Sequence, residues 1–407
     1  MSHAAVIPLR PQRRHDPMTA AAHDVHLFEN APPRRVLQRL GLVRRGARNA
    51  LFRAGLVILI AWVPLVVFSA IQRAASPQND LFSLLLETGV HARFLIAAPL
   101  LILAETECAT RLGVIIHHFV ESGIVPQNRR GRFEAAVSST QKLLDSHWAE
   151  VAVVVLAYVV TVALIVSSEQ QIIPEWHRTG GLLPLFSLAG WWHALVSTPL
   201  LLILFFGWAW RIALWTRLLW LISRIKLRLV AAHPDHAAGL GFVGNSLRAF
   251  SIVALALAAI VAGRSASVVI HGGTLPTPQL AFNAAVLSAI AVVLIAPLSV
   301  FMPTLMQVWR RGVLEYGALA DRVGNAFERK WIDRSAKLDR EALAQPDFSA
   351  TTDLYQIVSN VYAIRFIPLG LKDVVTLVAA MLLPFIPVVL LAIPTDVIWS
   401  GIKGLLF

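Results

Sequence analysis

Seven apolar runs of spanning length constrain this chain more than any other feature: residues 54–72, 94–114, 148–168, 189–210, 249–271, 280–308 and 373–395. A bilayer core of roughly 30 Å is crossed by about 20 helical residues. Backbone N–H and C=O groups find no water there, so each run must satisfy them internally. The expected fold is therefore an all-α membrane bundle with about seven transmembrane helices and amphipathic cytoplasmic helices. Apolar residues reach 57 % and charged residues only 15 %. These values exclude a disordered chain, a fibrous repeat and an ordinary cytosolic enzyme. Pro384 and Pro387 interrupt the last run, so a re-entrant hairpin, leaving six spans, is the alternative there. Residues 1–53 are polar and Arg-rich, unlike a cleavable signal peptide.

The net charge of +12 would suggest nucleic acid in a soluble chain. Its distribution points elsewhere. Of 36 Lys and Arg, 31 fall in residues 1–53, 111–147, 211–248 and 310–372, which lie on alternate sides of the runs. The positive-inside rule then gives one threading, with the N-terminus cytoplasmic and the C-terminus periplasmic. The charge is accounted for by the anionic inner leaflet, and no nucleic-acid partner is expected. Trp191, Trp192, Trp208 and Trp210 bracket the fourth run as interfacial anchors. The single cysteine, Cys108, excludes an intrachain disulfide and a CxxC site.

Four regions follow: a basic tail with an amphipathic helix (1–53), a bundle of six spans (54–309), a helical cytoplasmic segment (310–372), and a last span with a short tail (373–407). In the tail, Pro33–Arg53 alternates arginines with apolar residues at helical spacing and suits anionic lipid or a plain topology signal. Arg211–Val230 continues the fourth run without Gly or Pro, so the helix is expected to run on or bend onto the surface. Tyr316, Leu319, Ala320, Val323, Phe327 and Trp331 form one apolar helix face; Leu354, Ile357, Val358, Val361 and Tyr362 form a second, with Thr351–Asp353 as its N-cap.

Three stretches together carry a resemblance: ETECATRLGVIIHHFVESGIVPQNRRGRFEAAVSSTQKLLDSHWAE (105–150), HPDHAAGLGFVG (233–244), and EYGALADRVGNAFERKW (315–331) with TTDLYQIVSNVYAIRFIPLGL (351–371). The chain resembles an uncharacterised family of bacterial multi-pass inner-membrane proteins, and HPD-x-x-x-GLGF is the most specific element. The family form usually has a further glycine where this chain has Ala238. The resemblance implies a helical fold in the bacterial inner membrane and no particular activity.

Few residues suggest chemistry. Gly239, Gly241 and Gly244 match GxGxxG, but no strand precedes them, so a tight inter-helix turn is expected rather than a dinucleotide site. His233, Asp235 and His236 can bind a transition metal or simply form a turn; no fourth ligand is apparent, and no metal or cofactor is assigned. Glu105 lies 11 residues past Phe94, about 17 Å along a helix. An intramembrane carboxylate is a candidate proton or cation relay by default. Glu107 is placed to pair with Arg111 at i, i+4. Arg264, near the outer end of the fifth run, either snorkels or meets an anionic group. Two functions are expected on these grounds. One is a permease or channel for a small solute or ion, motivated by Glu105 and the proline-kinked spans. The other is a non-catalytic membrane scaffold or signalling partner acting on a protein partner or a second copy. A membrane enzyme ranks last, lacking a nucleophile–base or metal constellation.

Overall fold

A computed structural model describes residues 47–75, 81–167, 187–332 and 347–392. All regular structure among the described residues is helical. The long helices are α1 (Ala47–Ala61), α2 (Val63–Ala75), α3 (Ala98–Glu121), α4 (Arg130–Leu144), α5 (His147–Ser167) and α6 (Thr198–Ser223). They are followed by α7 (Asn245–Gly272), α8 (Thr277–Ile295), α9 (Met302–Trp331), α10 (Asp347–Tyr362), α11 (Leu371–Leu382) and α12 (Ile386–Ala392). Most of the Pro33–Arg53 amphipathic helix expected from sequence lies outside the described residues.

Among the described residues, six helices are long and apolar enough to cross a membrane: Ala50–Ala74, His147–Ser167, Leu188–Ser223, Gly241–Gly272, Thr277–Trp331 and Leu371–Ala392. The predicted run 94–114 forms α3 but is not among the six, because Glu105, Glu107 and Arg111 interrupt its apolar character. The run 280–308 is not one straight helix. A 3-10 turn at Ala296–Phe301, holding Pro297, divides α8 from α9.

α7 is the most buried of the six. Its buried residues include Ala254, Ala258, Ala259, Ala262, Gly263 and Ser265, which let neighbouring backbones approach closely. A Cβ on Gly263 would collide with Ala92 and with the Thr88 carbonyl, and Thr88 Oγ1 donates to the Gly263 carbonyl at 2.8 Å. At the other end of α7, Cys108 Sγ donates to the Ala249 carbonyl, so α3 runs antiparallel to it. Asp373 pairs with Arg248 while Val388 packs on Ala262 and Val269. The last apolar run therefore lies along the whole of α7, not folded back as a hairpin. On α8 the small residues Ala281, Ala285, Ser288 and Ala289 are exposed, whereas Asn283 is buried and its amide donates to Ser265 Oγ at 2.8 Å.

Proline shapes the end of the bundle opposite the arginines. Pro64 has no N–H, which frees carbonyls in the preceding turn. Trp192 Nε1 donates to the Ile60 carbonyl at 2.9 Å and Ser197 Oγ to the Ala61 carbonyl at 2.7 Å, so both are satisfied from the fourth run. Pro99 and Pro199 each follow a π turn, Ala92–Ala97 and His193–Ser197. In each, the residue just before the proline donates to the carbonyl five positions back.

Candidate functional site

The HPD loop is built around one carboxylate. Asp235 Oδ1 accepts from the N–H groups of Ala237 (2.8 Å) and Gly239 (3.1 Å), and Oδ2 accepts from Gly241 N–H (2.8 Å). Bringing three amides to one side chain requires a backbone that curls tightly. His236, Ala238 and Gly239 accordingly have φ of 53°, 55° and 96°. Glycine adopts such angles without strain, so His236 and Ala238 hold strained backbone here. A Cβ on Gly241 would lie 2.9 Å from Asp235 Oδ2, so that residue must be glycine for the amide to reach the carboxylate. Burial opposes ionisation of Asp235. The three backbone N–H groups and His233, whose Nδ1 is 2.8 Å from Oδ1, outweigh it and hold the carboxyl below its ordinary range.

Around this loop parts of the three sequence stretches 105–150, 233–244 and 315–371 meet. From the first, His118 and Phe119 on α3 set their rings against Phe242, with centroids 4.5 and 4.8 Å away. Arg228 N–H donates to the Ile124 carbonyl at 2.8 Å, tying the irregular segment before the loop to the segment after α3. From the third, Arg365 N–H donates to the His236 carbonyl at 2.7 Å. Gly244 leaves no room for a Cβ, which would lie 2.8 Å from the Pro368 carbonyl and 2.9 Å from Asp373 Oδ2. Gly312 on α9 likewise sits between Ala231 and Val361. Asp373, buried, closes the junction: its Oδ1 accepts from Arg248 at 2.7 Å and its Oδ2 from Gly370 N–H at 3.2 Å. A cleft of about 450 Å³ opens beside the loop, lined by His118, Arg228, His233, Asp235 and Gly239 among others.

The GxGxxG segment is thus a 3-10 turn, Gly241–Gly244, leading into α7, as expected for an inter-helix turn. His233, Asp235 and His236 do not converge as ligands. Both Asp235 oxygens are committed to backbone amides, and His236 Nδ1 is buried without a hydrogen-bond partner among the described residues. No group of three metal-ligating side chains occurs among the described residues.

Glu105 is held by two arginines. Arg53 Nη1 of α1 lies 3.0 Å from its Oε2, and Arg211 Nη2 of α6 lies 2.6 Å from its Oε1. The Glu105 side chain is 12 % exposed and that of Arg211 only 3 %. Arg211 also lies over the Trp208 ring, 5.0 Å from its centroid. Arg53 begins the first apolar run and Arg211 ends the fourth, so Glu105 lies level with the ends of those runs and not deep among them. This corrects the depth counted from Phe94: the helix begins earlier, at Thr88, and its apolar part is displaced towards the N-terminus. Glu107 points elsewhere and pairs with Arg111 at 2.6 Å, both half exposed.

Arg264 does not join these acids. It is exposed on α7, 16 residues or about 24 Å from Arg248, beside the Thr88–His91 turn. The three residues proposed as a relay or ion site are therefore not one site. Sequence reasoning assigned Arg53 and Arg211 only to topology. The signal for their pairing was available: an acid at the level where two spans begin and end with arginine. The contribution of Asp373 was also missed. Its signal was an acid opening an otherwise apolar run.

The described residues form a helical bundle compatible with a multi-pass membrane protein, in which Glu105 and Asp373 pair with arginines at one end. No protein family, curated protein or solved structure matches the chain.

Proposed function

We propose that this is a seven-span bacterial inner-membrane protein of the resembled family, with a cytoplasmic N-terminus and a periplasmic C-terminus, acting as a non-catalytic scaffold or signalling partner. α3 supplies the seventh crossing, its charges neutralised at the cytoplasmic surface by Arg53 and Arg211. Contacts along the helices support this count. The helical stretch from Thr88 through α3 pairs with the stretch from Leu188 through α6 in parallel (Phe94 with His193, Glu105 with Arg211) and with α7 in antiparallel (Thr88 with Gly263, Cys108 with Ala249). Alternating directions follow along the chain, as the lysine and arginine distribution requires.

The observation that carries the functional reading is the α9–α10 hairpin and its attachment. α9 has 30 residues, about 45 Å, and its distal half packs on α10 through Phe327, Trp331 and Phe348. Leu314 (74 % exposed) and Ile357 (42 %) remain outside that contact. The hairpin is joined at its base to the HPD loop, so whatever binds it is mechanically connected to α7. A photo-crosslinker at Leu314 or Ile357 in living cells is expected to yield one dominant adduct, with a partner protein or a second copy. No stoichiometric adduct from either position would overturn the reading.

Permeation is the second reading, and the clamp on Glu105 removes its main support. Both Glu105 carboxylate oxygens are already engaged, Oε2 by Arg53 and Oε1 by Arg211. Retained transport of any solute by the native protein, abolished in Glu105→Gln with folding intact, would restore it.

A further inference from the structure

We propose that the crevice between α4 and α6 binds the phosphate of an anionic phospholipid. The crevice, of about 550 Å³, is lined by Ser138, Ser139, Ser146, Lys142 and Arg217 with two apolar residues. It presents two cations and three hydroxyls, and no carboxylate lines it. Arg217 is fixed in place: Nη2 donates to Ser139 Oγ at 2.8 Å and Nη1 to Thr140 Oγ1 at 3.1 Å, and Thr140 is fully buried. Lys142 makes no hydrogen bond or ion pair among the described residues and is exposed at the rim. A guanidinium held by hydroxyls and a free ammonium across a crevice are complementary to a doubly contacted phosphate oxygen pair.

Depth selects the source. Ser146 immediately precedes α5, whose Trp148 is 83 % exposed and suits an interfacial anchor. Arg217 lies six residues, about 9 Å, beyond Arg211 on the same helix. Both place the crevice in the headgroup layer flanking the hydrocarbon core. That placement rests on the span assignment proposed above, whereas the phosphate chemistry of the crevice does not.

The test uses the full chain in mild detergent. Native mass spectrometry with added phosphatidylglycerol or phosphatidylcholine reads lipid retention, and thermal unfolding with inorganic phosphate reads the chemistry alone. Phosphatidylglycerol is expected to be retained preferentially, and Lys142→Gln to weaken that retention about fivefold with phosphatidylcholine unaffected. Arg217→Gln is expected to do the same. Lys142→Gln removes no contact of the native fold, so its effect is not one of misfolding. Phosphate-dependent stabilisation lost in Lys142→Gln, without preference between the lipids, would keep the site and assign it to free phosphate. Retention and phosphate response both unchanged in Lys142→Gln, or neither seen in the native chain, would overturn the proposal.

Discussion

Asp235 sets the conformation of the HPD loop because one carboxylate answers three backbone amides that would otherwise lie unpaired. Asp235→Ala is expected to cost about 2–3 kcal/mol through the desolvated N–H groups it leaves, measured as a lower thermal midpoint in detergent. The folded carboxyl titrates below its unfolded value. Its contribution is thus complete above the ordinary carboxylate range near pH 4 and is lost as pH falls through the lower folded value. Acid titration of the native chain should show that loss, and Asp235→Ala should not. Glu105 makes a second prediction. Glu105→Gln leaves two guanidiniums facing each other, and breaking such a buried pair costs about 3–5 kcal/mol. Glu107→Gln, losing one half-exposed pair, should cost under about 1 kcal/mol. The turn role of Asp235 was legible, since proline, aspartate and glycines at that spacing specify a tight loop. The arginine clamp was not, because Arg53, Glu105 and Arg211 are joined only by packing of three helices.

Among the elements, α7 organises the bundle because its small residues allow backbone contact along both ends. Gly263→Val should push the Thr88–His91 turn away from α7 and destabilise by about 2–4 kcal/mol; an unchanged midpoint would contradict the packing described for it. The apolar runs of α1, α5, α6, α7 and α8 were readable from sequence, since hydropathy alone decides them. The run 94–114 reads as a span like the others, yet α3 is not among the six helices apolar enough to cross a membrane. α10 shows the opposite failure. Thr351–Asp353 have the chemistry of an N-cap, yet the helix is already formed by Asp347, and Thr351 and Thr352 donate back to the Asp347 and Phe348 carbonyls. The Lys330 and Trp331 contacts to Asp347 across the hairpin override the local signal.

For the whole molecule, topology and coupling are the claims that matter. A reporter fused at the C-terminus should be active only in the periplasm; cytoplasmic activity would return the count to six. That threading rests on the spread of lysines and arginines along the sequence. The meeting of residues 118–124, 233–244 and 361–373 was not readable, because no local pattern records which distant segments share a surface. That junction is the centre of the account, and hydrogen exchange of the full chain measures it most directly. If the HPD loop couples the hairpin to α7, Asp235→Ala will raise exchange in residues 233–244 and, together with it, in Asp347–Tyr362 and Leu371–Leu382. Faster exchange confined to residues 233–244, with the hairpin and α11 as protected as in the native chain, would contradict it.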